Sequence, residues 1–167
     1  GDVVGRYRTK PFFAFHHINA FEKDQSIILD VASYDNADII WEIADYSYET
    51  PKKNISLPRL ERFTLSLKSE EVHFQTIFND PIELPRINSR IDGEEYEFVY
   101  GIDPRPPMID QDIIRPIYKI NPETKKSLNW SESGCYPGEA IFIPSPDSQD
   151  EDDGVVASVV FDSITKQ

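Results

Sequence analysis

The sequence predicts a mostly β chain, on three observations. Short runs rich in Ile, Val, Phe and Tyr recur along its length; Pro, Gly, Asn and Asp separate them; and thirteen prolines stand against seven glycines. Proline at that frequency suits long connecting loops better than helices, because it removes a backbone donor and fixes φ. With 167 residues, 39% of them hydrophobic, the chain can build one sizeable core.

The predicted strands follow in order. Phe12–Ile18 and Ile27–Ser33 open the chain, then Ile39–Tyr48 reads as a helical turn or two and Glu49–Pro58 as loop. Phe63–Leu67, Val72–Phe78, Tyr96–Tyr100 and Ile114–Ile120 come next, each bounded by turn residues. Ala140–Ile143 and Val155–Phe161 close the series, joined by the acidic run Asp147–Gly154. That run departs from the calcium-loop spacing and reads as a solvated loop.

One internal echo suggests how the strands are grouped. Tyr118–Lys126 reads as strand, turn, strand, with Asn121-Pro122 suited to the first two positions of a type I turn. Val160–Gln167 repeats the grammar, and Asn121 and Asp162 lie 41 positions apart. That period matches the ~40–45 residues of a four-stranded propeller blade; two unrelated hairpins are the plainer alternative. At perfect blade length 167 residues would supply about four blades, and the irregular Glu42–Arg62 stretch reduces that. An unclosed propeller exposes strand edges, so the sequence reads as a piece of a larger polypeptide.

Composition excludes several classes. Seventeen basic residues against thirty acidic ones give a net charge of −13, which repels phosphate backbones and argues against nucleic acid and against broad docking on anionic lipid. No run approaches the ~20 apolar residues of a membrane span. The opening Gly1-Asp2-Val3-Val4-Gly5 has neither the basic nor the apolar region of a leader, and a start other than Met reads as processed, tagged or truncated. Cys135 is the only cysteine, which rules out an internal disulfide, a cysteine zinc cluster and a CxxC pair; a reducing compartment, the cytosol, is expected.

The stretch Lys10–Glu22 carries the most chemistry. On a regular strand Phe13, Phe15 and His17 would share one face, and Phe12, Ala14, His16 and Ile18 the other. Only one of the two histidines would then face a given metal; a neutral imidazole is a good ligand for iron, copper or zinc. The alternative is a pair of histidines bonded to carbonyls near the end of a core strand. Glu83 is wedged between apolar residues and prolines in Asp80–Asn88, and Glu139 begins Gly138–Pro144, on a face with Ile141 and Ile143. An inward carboxylate needs a partner. A metal-bound imidazole donating its far N–H would serve, as would solvent at an edge or a salt bridge to Arg86, which these residues alone favour. His73 has no evident companion and reads as structural. No phosphate-binding glycine loop and no Gly-x-Ser-x-Gly elbow occur.

Phe12–Glu22, with Phe-His-His-Ile-Asn-Ala-Phe-Glu at its centre, resembles the segment that supplies an iron-binding histidine in the carotenoid cleavage oxygenase family. Ile82–Asn88, Tyr136–Pro146 and Asp150–Val160 are similar to further segments of that family, in the same order and at matching spacing. The double histidine looks most like the branch of animal β-carotene oxygenases and the retinal-pigment-epithelium isomerohydrolase. The resemblance implies an all-β fold, part of a seven-bladed β-propeller, incomplete at about three blades and with long connecting loops. Residues 1–167 would be the C-terminal portion of a single propeller domain, with no separate second domain.

It also implies a site. Family members hold Fe(2+) on the propeller axis with four histidines, some of them oriented by three glutamates. The family pattern Phe-His-x-x-Asn makes His16 the metal ligand and not His17. Glu83 matches the glutamate that accepts the N–H of that histidine, and Glu139 one that orients a histidine further downstream. Two upstream ligands would precede Gly1 and the last would follow Gln167, so the resemblance implies a fragment that is silent by itself and needs the remainder of its parent polypeptide. The implied activity is dioxygenase cleavage of a conjugated double bond of a carotenoid or apocarotenoid, with a lipophilic polyene and O2 as substrates. Retinyl-ester isomerohydrolase chemistry and a non-catalytic propeller segment are the alternatives. A lipophilic substrate adds peripheral membrane contact to the cytoplasmic expectation, although no amphipathic anchor is evident.

Overall fold

A computed structural model of the chain describes residues 2–45, 55–106 and 115–167. β1 (His17–Lys23), β2 (Ser26–Ser33), β3 (Arg59–Ser66) and β4 (Val72–Phe78) form a four-stranded antiparallel meander in chain order. β5 (Glu83–Arg86), β6 (Val99–Ile102), β7 (Ile117–Ile120) and β8 (Ser127–Trp130) form a second. Each sheet pairs only sequence neighbours, the pattern of a propeller blade. A third unit is a single long hairpin: β9 (Cys135–Pro137) and β10 (Ile141–Pro144) run out, β11 (Gly154–Ala157) and β12 (Val160–Asp162) return. The expected three blades are thus two complete sheets and a two-stranded third.

Local chemistry explains the turns. Asp24 and Gln25 both take positive φ, 49° and 59°, as a two-residue hairpin between β1 and β2 requires. The 41-residue echo is a structural repeat. Asn121 accepts the N–H groups of Glu123 and Thr124 through its side chain, and Asp162 does the same for Ile164 and Thr165. Asn121 N bonds Lys126 O at 2.9 Å, Asp162 N bonds Gln167 O at 2.8 Å, and Lys125 and Lys166 share φ of 57°.

The main core lies between the two complete sheets, where Ile18 and Phe21 of β1, Leu60 of β3 and Ile77 of β4 meet Val99 and Ile120 of the second and Ile82 just before it. A smaller cluster joins the second sheet to the hairpin: Tyr100 and Phe142 stack with centroids 5.1 Å apart. The acidic loop is less solvated than expected. Glu151 accepts the backbone N–H groups of Glu97 and Phe98, burial raises its pKa, and Asp152 pairs with Lys119. The loop therefore clasps the entry to β6 rather than lying free.

Other boundaries moved for identifiable reasons. Phe12–His16 precedes the first regular strand, and Phe13 alone bridges to Tyr34. Val155–Phe161 splits into β11 and β12. β5 and β9 contain Pro85 and Pro137, which hid them from a pattern search. The predicted helix Ile39–Tyr48 is α1 (Asp38–Ala44) as far as it is described; residues 46–54, with the end of that helix and the start of the Glu49–Pro58 loop, and Ile114 lie outside the described residues.

Candidate functional site

Strand irregularities position all three predicted site residues. Between the Phe13–Tyr34 bridge and the Asn19–Asp30 pair, the β1 side carries two residues more than its partner. His16 sits inside that slip, its carbonyl accepting Ala32 N–H at 3.1 Å. The regular alternation expected for Phe12–Ile18 fails for this reason: Ile18 and Asn19, adjacent in sequence, are both buried. Glu83 pairs with Ile102 and Arg86 with Tyr100, so β5 carries one extra residue. Glu139 lies in the break between β9 and β10, where Pro137 pairs with Val160 and Ile141 with Ala157. Such bulges re-aim side chains and occur beside active sites.

His16 Nδ1 lies 2.7 Å from Glu83 Oε2, across 67 residues of sequence. An ionised carboxylate only accepts, so Nδ1 carries the proton of this bond, and in the neutral ring that tautomer leaves the lone pair on Nε2. Glu83 is nearly closed off, at 8% side-chain exposure, while the His16 side chain remains 43% exposed. Two further donors hold the carboxylate: Leu84 N–H at 3.0 Å on Oε2 and the Tyr34 hydroxyl at 2.9 Å on Oε1. Burial first, and the Glu83 charge second, raise the Tyr34 pKa far above its usual value, so the phenol stays a donor. Tyr34 is silent in the sequence, because an aromatic at the end of a strand carries no signal of a bond to a residue 49 positions away.

An aromatic group adjoins the imidazole. Phe13 and Phe15 meet edge to face at 4.8 Å, Phe15 and Tyr34 do so at 5.7 Å, and the Phe15 ring is 6.5 Å from that of His16. His17 faces elsewhere, lining a cavity of about 390 Å³ with Arg86, Asp92 and Phe142. Glu139 accepts from Arg86 Nε at 2.5 Å and is partly exposed; no imidazole adjoins it among the described residues. His73 is exposed on β4. No group of three or more His, Cys, Asp or Glu side chains that could hold a metal ion occurs among the described residues. No helix among them is long and apolar enough to cross a membrane.

The family model described as retinal pigment epithelial membrane protein matches residues 1–167. The chain belongs to this family. It is the carotenoid oxygenase family that the four sequence motifs resemble. The β,β-carotene 15,15'-dioxygenase of Gallus gallus is 31% identical over 188 residues, covering 95% of this chain and 35% of its own length. The carotenoid isomerooxygenase of Galleria mellonella is 32% identical, covering 96% of this chain and 32% of its own. The crystal structure of a cobalt-substituted Synechocystis ACO superimposes with a TM-score of 0.82 at 26% identity, covering 99% of this chain and 34% of that one. The chain thus spans about a third of the carotenoid oxygenases that it matches, and its sheets correspond to part of their β-propeller.

Proposed function

We propose that this chain forms part of a non-haem iron dioxygenase that cleaves a conjugated double bond of a carotenoid or apocarotenoid, with His16 as one of the iron ligands. The observation that carries this reading is the His16–Glu83 pair, built at two strand irregularities in a chain of the carotenoid oxygenase family. The donor chemistry fits Fe(2+). A neutral imidazole is a good ligand for this ion, a carboxylate on Nδ1 directs Nε2 to the metal, and the ring is not buried. One imidazole is one corner of a metal site, so the remaining ligands come from outside these residues, and the chain is silent without them.

Within that site the chain's tasks are local. Glu83 holds the His16 ring by its Nδ1 proton and makes it a stronger donor. Phe15, which is exposed, and Phe13, which is half-buried, offer apolar faces next to the imidazole against which a polyene lies without losing polar contacts. Bound ferrous iron would supply the oxygen-activating chemistry. The overall reaction adds both atoms of O2 across one C=C bond and yields two carbonyl products. Glu139 remains a candidate to orient a further histidine, exchanging its Arg86 partner for an imidazole. The related proteins named above are a dioxygenase and an isomerooxygenase, which favours cleavage over retinyl-ester isomerohydrolysis and over a non-catalytic segment.

The test uses the full-length polypeptide that carries these residues. His16→Ala is expected to lower iron content after purification by more than about tenfold, since even the hydrogen-bond partner of a ligand contributes about 10–100-fold to affinity. His17→Ala should retain iron. Product analysis with carotenoid, apocarotenal and retinyl ester then separates the activities. Full iron content in His16→Ala, or consumption of none of the three substrates by the iron-loaded protein, would defeat the reading.

A further inference from the structure

Tyr34 stands one position beyond β2, its backbone paired with Phe13 through bonds of 2.8 and 3.0 Å and its side chain buried. Its hydroxyl reaches out of the first sheet to Glu83 of the second. We propose that Tyr34 is a positioning residue for the metal site: by fixing the plane of the Glu83 carboxylate it sets the direction in which His16 presents Nε2. The proposal rests on the assignment of His16 as a metal ligand.

The argument is one of constraint. Both nitrogen donors to Glu83, His16 Nδ1 and Leu84 N, act on the same oxygen, Oε2. Bonds to one oxygen leave the carboxylate free to rock about it, and the imidazole would follow. The Tyr34 bond acts on Oε1 and removes that freedom. The phenol is itself fixed, by its backbone pairing and by the edge of Phe15 at 5.7 Å. Because Tyr34 belongs to the first sheet and Glu83 to the second, the bond also references the imidazole to both.

A merely structural tyrosine would satisfy its buried hydroxyl and affect stability alone, so the test reads the metal. In the full-length protein, with Co(2+) as the probe, Tyr34→Phe keeps the ring and its packing. Its cobalt affinity should fall roughly 3–10-fold, short of the 10–100-fold expected for Glu83→Gln, and its visible ligand-field bands should shift. Added to Glu83→Gln, the same substitution should cost little more, because the two act in series. Phe12→Leu loosens the packing of the first sheet, where Phe12 stacks on Phe63 at 4.9 Å, without touching the Tyr34 hydroxyl, and should leave the bands in place. Wild-type affinity and bands in Tyr34→Phe, or an undiminished further loss in the Glu83→Gln background, would overturn the proposal alone. Equal cobalt uptake by the wild type and His16→Ala would instead strike the metal reading, and this inference with it.

Discussion

Leu84 shows how one residue's backbone reaches into the site. Its φ of 49° is a left-handed conformation that leucine rarely adopts, costing on the order of 1–2 kcal/mol. That conformation folds its N–H back onto the carboxylate of the preceding Glu83 at 3.0 Å. The extra residue in β5 and the carboxylate's third bond therefore have one cause. A β-branched side chain tolerates this region worse still. Leu84→Val should destabilise the full-length protein by roughly 1–2 kcal/mol in denaturant unfolding, more than a single lost methylene in a half-buried side chain explains. It should also weaken metal binding. Leu84→Asn keeps a residue that accepts positive φ and should preserve metal binding, at the expense of lost burial.

At the scale of the element, the site depends on how closely β5 and β6 approach. Gly101 of β6 faces the start of β5, where an added Cβ would lie 2.5 Å from Ile82 Cγ1 and 3.2 Å from the Glu83 carbonyl. Ile82 is fully buried and has no room to yield. Gly101→Ala should therefore push β5 away, costing about 1–3 kcal/mol and displacing Glu83 from His16. The check is a fall in both unfolding midpoint and iron content; an unchanged iron content would show that β5 relaxes without moving the carboxylate. The same elements mark the limit of what the sequence revealed. Val72–Phe78 and the whole of Ile27–Ser33, one residue short of β2, are legible because aromatic and β-branched runs end at turn residues. β5 is not: four residues, one a proline and one at positive φ, carry no strand period. His16 and Glu83 stood out as types in unusual surroundings, and the motif likeness tied each to a role. Their contact depends on extra residues in two strands, which strict alternation cannot anticipate.

Across the whole molecule the two complete sheets are joined by more than their apolar core. Arg62 of β3 donates through Nε and Nη2 to both oxygens of Asp30 of β2, each at 2.8 Å, and through Nη1 to Glu123 in the β7–β8 turn. Tyr96, leading into β6, donates to the same Asp30 at 2.5 Å, and its ring meets Phe21 edge to face. Burial, the largest single influence, works to strip the proton from Arg62, but the bonds and charge of Asp30 together with the bond to Glu123 outweigh it and the net shift is upward. Asp30 is wholly buried, so removing its guanidinium leaves a charge with one phenol for company. Arg62→Met should cost about 3–5 kcal/mol in unfolding free energy. Adding Asp30→Asn should recover at least half of that, since the neutral amide still accepts from Tyr96; no recovery would assign the loss to the lost attraction rather than to the stranded charge. The acid limb supplies a second reading. Arg62 hydrogen bonding holds Glu123 below its usual 4.5, a contribution present above that value and lost as pH falls through the lowered folded value. In Arg62→Met that contribution is gone, so the gap in stability between the two proteins should narrow as the pH is lowered through this window.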